Sequence, residues 1–136
     1  MSVDLAVSFP ASRLISSAQW QHVMDSLGFP FRLDPIDWAN QSGWLPVHHM
    51  GKLTGFELAL DDIAEFLEGS TMSAPDAHDL LVMFRFGGDT LEFKSAMCAA
   101  AALAHATGGV FHDPQDGESY DAAAAISWAR EALTKT

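Results

Sequence analysis

LLVMFRFGGDTLEFKSAMCAAAALAHATGGVFH, Leu80 to His112, decides the fold. The run Leu80–Phe86, apolar but for Arg85, is the pattern of a central strand covered on both faces. GGD interrupts it. Asp89 and Glu92 then supply the acidic start of a helix, in which Phe93, Ala96, Met97, Ala100, Leu103 and Ala104 recur at the helical period. Gly108 stops that helix, and GVFH resumes an extended apolar pattern. Because the inward positions are mostly alanine, the helix axis can approach a sheet closely.

Toward the C-terminus, GVFH and GESY flank DPQDG and predict a hairpin. Asp121 caps a last helix that turns Ile126, Ala129 and Leu133 inward. Toward the N-terminus, VDLAVSF alternates from Val3 to Phe9 and ends at Pro10, an opening strand. Ser16 with Gln19 forms a capping box, and Ile15 with Trp20 a hydrophobic staple. Trp20, Val23, Met24 and Leu27 complete that helix before Gly28. FPFRLDP reads as a short strand and IDWANQSG as loop. WLPVHHM and LTGFELAL read as two strands turning near Gly51 and Lys52, the first at an edge because it contains Pro46. DDIAEFLEG predicts about two helical turns, capped by Asp62 with Glu65 and stopped by Gly69. The chain is therefore expected to be one α+β domain spanning residues 1–136, a mainly antiparallel sheet with three to four helices packed on it. Strand order is not legible.

At 136 residues, with 49% hydrophobic and 18% charged residues, the chain lies outside the disordered class. No stretch approaches a membrane span and no secretory leader is evident, so a cytoplasmic protein is expected. The single cysteine, Cys98, excludes an internal disulfide and agrees with a reducing compartment. The formal net charge of −11 works against binding nucleic acid or anionic lipid and favours a basic protein partner. The acids concentrate between Glu57 and Glu92, where nine stand against Arg85 alone.

The polar stretch HDPQDGES suggests a metal or proton-transfer site, but it satisfies the requirements of a turn one residue at a time and lacks the spacing of a calcium loop. His48 and His49 are strand neighbours and point to opposite faces. His105 and His112 with Asp113 form a two-histidine, one-carboxylate set if the Gly108–Gly109 turn is tight, although no spaced metal motif supports it. Cys98 is too far along the helix from His105 to be activated by it, and reads as a small buried residue. Trp38 and Trp44 flank a polar loop, either as core lids or as binding anchors. No nucleotide-binding or nucleophile-elbow motif is present, and no cofactor is expected.

GWLPVHHMGKLTGFELAL, LLVMFRFGG and AAALAHATGGVFHDPQDG together resemble small α+β bacterial immunity-type proteins of polymorphic toxin systems, including type VI and contact-dependent systems. The resemblance covers roughly residues 43–117 and is carried by apolar and turn residues. It implies a non-catalytic inhibitor that neutralises a cognate toxin. Two expectations follow. The first is an immunity-type binding protein that meets a basic partner through Asp61, Asp62, Glu65, Glu68, Asp76 and Asp79, with Trp38 and Trp44. The second is a small metal-dependent hydrolase using His105, His112 and Asp113. A structural subunit with no inhibitory role is the third possibility.

Overall fold

The computed structural model describes residues 2–40 and 43–135; the loop expected over Gln41 and Ser42 lies outside them. The elements follow in the order β1 (Val3–Phe9), α1 (Ser17–Ser26), β2 (Arg32–Leu33), β3 (Gly43–His49), β4 (Lys52–Asp61), α2 (Ile63–Leu67), β5 (Leu80–Phe86), α3 (Thr90–Thr107), β6 (Val110–Asp113), β7 (Glu118–Asp121) and α4 (Ala122–Leu133), with a single 3-10 turn at Ala11–Arg13. Local chemistry accounts for the helix starts. Ser16 and Gln19 exchange side-chain and backbone hydrogen bonds in a complete capping box, and Asp62, Asp89 and Asp121 each accept a backbone N–H of the turn that follows. Each such cap stabilises its helix by about 1 kcal/mol.

The seven strands form one antiparallel sheet in the order β2-β3-β4-β5-β1-β6-β7. The α+β expectation is met, with four helices and this sheet. Three of the helices pack on one face. There Leu5, Val7 and Phe9 of β1, Phe56 and Leu58 of β4, and Val82, Phe84 and Phe86 of β5 meet Trp20, Met24, Met97 and Leu103 in one buried cluster. The alanines of α3 let it lie against the sheet with α1 and α4 beside it, and Ser95 to Ala104 are buried all the way round, a wider burial than the single face expected. The Trp20 indole N–H donates to the Ala99 carbonyl at 3.0 Å, so the largest core side chain leaves no polar atom unpaired.

Two local expectations are corrected. β5 is central, but its two faces are unequal: Leu81 is buried on the second face, Met83 is half-buried and Arg85 exposed. β3 is not the edge strand, because β2 pairs with Val47 and His48 and the Asp34 N–H donates to the Pro46 carbonyl. Proline is tolerated there because β2 is only two residues long and demands little of that side. The β3–β4 turn consists of Met50 and Gly51, with φ of 50° and 81°, while Lys52 already pairs with His49.

The stretch from His112 to Ser119 is a chain reversal. The Gly117 N–H donates to the Asp113 carbonyl at 2.9 Å, the Asp113 carboxylate accepts from Gln115 N–H, and Gly117 takes a φ of 70°. Tyr120 donates its hydroxyl to Asp116 across the hairpin.

Candidate functional site

The register places definite rows of side chains on the face of the sheet away from α1, α3 and α4. One row runs Trp44, Glu57, Arg85, Asp4; a second runs Ala59, Met83, Ala6, His112, Ser119; a third runs Asp61, Leu81, Ser8, Val110, Asp121. Residues on directly opposed positions share a face, so these rows follow from pairing alone. The crossover from β4 to β5, residues 62–79, lies over part of this surface. The Phe66 ring packs on His112 with centroids 5.8 Å apart, the Thr71 hydroxyl donates to the Gly117 carbonyl, and the Asp79 carboxylate accepts from Ala11 N–H. That covering reaches the β1, β6 and β7 side.

On the other side, over β3, β4 and β5, a groove of about 300 Å³ remains open. Ala59 and Met83 form its floor, and Asp4, Glu57 and Asp61 its acidic walls. Among the described residues its one cation is Arg85, held by Asp4 through two hydrogen bonds of 2.8 and 3.3 Å. The Asp4 carboxylate raises the Arg85 pKa further above its ordinary value, chiefly by that hydrogen bonding.

Trp44, paired with Glu57 of the groove wall, stands beside the groove and is 49% exposed. Its ring lies across Gly55 of the neighbouring strand, where a Cβ would come within 2.8 Å of Trp44 Cζ2 and 2.3 Å of the Leu45 carbonyl. The glycine therefore seats the indole, an arrangement that lets an exposed aromatic be held rigidly on a sheet. Leu53 and Leu60, both exposed, are further apolar surface on β4.

The six acids expected to meet a partner, Asp61, Asp62, Glu65, Glu68, Asp76 and Asp79, are all exposed and all lie on the single segment from the end of β4 through the crossover. Trp44 shares that side of the sheet. Trp38 does not: it stacks on Trp20 at 5.5 Å, donates its indole N–H to the Ile15 carbonyl at 2.8 Å, and belongs to the helix layer. Asp4, Glu57 and Arg85 had not been singled out as a group. Asp4 is far from the acidic stretch in sequence and joins it only through the β5–β1 pairing.

His105, His112 and Asp113 do not converge. His105 is exposed on the helix side, beside Ile15, His22 and Val23. His112 is buried on the opposite face, and Asp113 is spent on its own turn. Among the described residues no group of three His, Cys, Asp or Glu side chains is placed to hold a metal ion. His48 pairs with Asp34 at 3.0 Å while His49 stacks on Phe31. Cys98 is fully buried, and burial pushes its thiol up to about 12, which leaves no thiolate at neutral pH.

A chain of polar groups lies under the crossover. His78 Nδ1 is 2.9 Å from Ser8 Oγ, Ser8 Oγ is 2.9 Å from His112 Nε2, and His112 Nδ1 is 2.8 Å from Ser119 Oγ. A serine beside an imidazole is the chemistry of a nucleophile and its base. Here Ser8 and His112 are both 0% exposed, with Phe66 packed on the imidazole, so no substrate reaches the hydroxyl. Burial lowers the His112 pKa to about 4, assisted by His78; His78 is lowered too, by burial and then by Arg13.

Comparisons with protein families, with curated proteins and with solved structures find no match to this chain. No helix among the described residues is long and apolar enough to cross a membrane.

Proposed function

We propose that this chain is a non-catalytic binding protein whose partner is a basic protein, and, in the finer reading, a cytoplasmic immunity protein that holds a cognate bacterial toxin inactive. The observation that carries the reading is the open half of the sheet: an acidic groove whose cation, Arg85, is already held by Asp4, bordered by a half-exposed tryptophan and by the acids of the crossover. A basic surface laid there meets Glu57, Asp61 and Asp62 without displacing a competing positive charge. Such complementarity acts first on the rate of encounter. Trp44 supplies a rigid apolar anchor of the kind that concentrates binding energy. Catalysis finds no support in the same features, because Ser8, the serine shared by two imidazoles, is enclosed together with His112, and the suspected metal-binding residues are divided between the two sides of the sheet.

The test is to recover the partner from the native host with the wild-type chain and with Asp61→Lys/Asp62→Lys/Glu65→Lys. The reading expects a basic protein that arrests growth when produced alone, is neutralised by the wild-type chain, and is neither bound nor neutralised by the reversed one. A partner that binds both chains equally removes the proposed face; a partner without toxicity removes the immunity role and leaves the binding role.

A further inference from the structure

We propose that the crossover, residues 62–79, is an acid-opened latch, fastened to the sheet by one buried hydroxyl, Ser8 Oγ, shared between an imidazole of the crossover, His78, and an imidazole of the sheet, His112.

Proton counting on the three hydrogen bonds carries the inference. Ser8 has one proton to give. With both imidazoles neutral, two arrangements satisfy every bond: Ser119 donates to His112, His112 to Ser8 and Ser8 to His78, or all three run in reverse. Each bond then has one donor and one acceptor. One added proton is also accommodated, because His112 can donate to both serines while Ser8 donates to His78. A second is not. When both imidazoles are charged, Ser8 must accept from both, its own O–H loses its partner, and two cations face each other across one oxygen, with each ring nitrogen only 2.9 Å from it. Ser8 and His112 are enclosed, which makes the orphaned donor costly, and the half-buried His78 adds the repulsion.

The surroundings offer little compensation. Arg13 opposes the charge on His78 and Asp79 favours it, but the Asp79 carboxylate is occupied by Ala11 N–H. From the sheet and α2, the groups against His112 are Ser8, Ser119 and the Phe66 ring. The acids of the neighbouring hairpin are engaged locally, Asp113 with Gln115 N–H and Asp116 with Glu118 N–H and Tyr120. Asp61 and Asp62 bind the backbone N–H groups that start α2. The crossover has few other fastenings, since Met72 is its only buried residue. A segment with so little apolar burial opens locally before the domain unfolds.

The sign of the pH effect follows from the two states. Lifting the crossover returns both imidazoles to water, where each takes up a proton near its ordinary value of 6.5, whereas the closed form holds both below that value. Closure is therefore complete above about pH 6.5 and is lost as the pH falls toward 4.

The latch needs no partner, so its test is independent of the binding reading. Hydrogen exchange of the wild-type chain, corrected for intrinsic rates, is followed from pH 7.5 to 5. The expectation is an increase of at least about tenfold in the opening of amides in residues 62–79, while the amides of Ala99 to Ala104 in α3, which open only with the whole fold, stay far more protected than the crossover at both pH values. His78→Gln, a change at a partly exposed position, should flatten that response, and His112→Gln should do so where it folds. Exchange of the crossover and α3 amides at one common rate of opening, no change between the two pH values, or an undiminished response in His78→Gln would each overturn the latch.

Discussion

Replacing Gly55 by alanine tests how Trp44 is held beside the groove. The added methyl lands 2.3 Å from the Leu45 carbonyl and 2.8 and 3.0 Å from two atoms of the Trp44 ring. It also sits at a φ of 153°, where side chains are rarely found. The ring can move, but the carbonyl belongs to β3, which pairs with β4 along its whole length. Forcing a methyl into a closed contact costs about 1–3 kcal/mol, and the backbone conformation adds about 1 kcal/mol more. A total near 3 kcal/mol lowers the melting temperature of a domain this size by about 10 °C. Thermal unfolding followed by circular dichroism reads the effect directly. Trp44→Ala in the same background should recover only a minor part, because it removes the ring and leaves the carbonyl. A Gly55→Ala chain melting within about 2 °C of wild type would refute the seating of Trp44 on Gly55 and the register that creates it.

His112 should make global stability pH-dependent. Burial lowers its pKa from 6.5 to about 4, so the unfolded chain takes the proton first, and stability is full above pH 6.5 and lost as the pH falls toward 4. The loss attributable to this group is about 2–3 kcal/mol, the lower figure allowing for solvent screening. Urea midpoints between pH 7 and 5 should therefore fall more steeply for wild type than for His112→Gln, and parallel slopes would sink the assignment. Met50 adopts a left-handed φ in the two-residue β3–β4 turn, so Met50→Asn should stabilise the fold by about 0.5–1 kcal/mol, read as a higher urea midpoint; a lowered midpoint contradicts that turn. Cys98 should resist thiol reagents at pH 8 in the native protein and react only once denatured, and prompt labelling of the native chain would contradict its burial.

The helix boundaries were legible because their chemistry is local. Ser16 and Gln19, Asp62, Asp89 and Asp121 sit within a turn of the N–H groups they satisfy. The hairpin at Asp113–Gly117 was legible for the same reason. β5 misled in one respect: a nearly continuous apolar run signals cover on both faces, but the crossover protects only Leu81, and Arg85 at the far end reaches solvent. Pro46 misled because two residues of β2 are enough to remove β3 from the edge. The groove was not legible at all. Asp4 meets Arg85 only because β1 inserts between β5 and β6, and no local pattern encodes that order. The shared hydroxyl of Ser8 is hidden for the same reason, since its partners lie 70 and 104 residues away.

The most direct test of the proposed charge complementarity is association kinetics with whatever protein partner the native host yields, measured for the wild-type chain and for the Asp61→Lys/Asp62→Lys/Glu65→Lys variant at low and physiological salt. Electrostatic capture predicts a wild-type association rate that falls steeply with salt, and a variant rate at least about tenfold slower at low salt with little salt dependence left. Equal rates for the two chains, unaffected by salt, would contradict it.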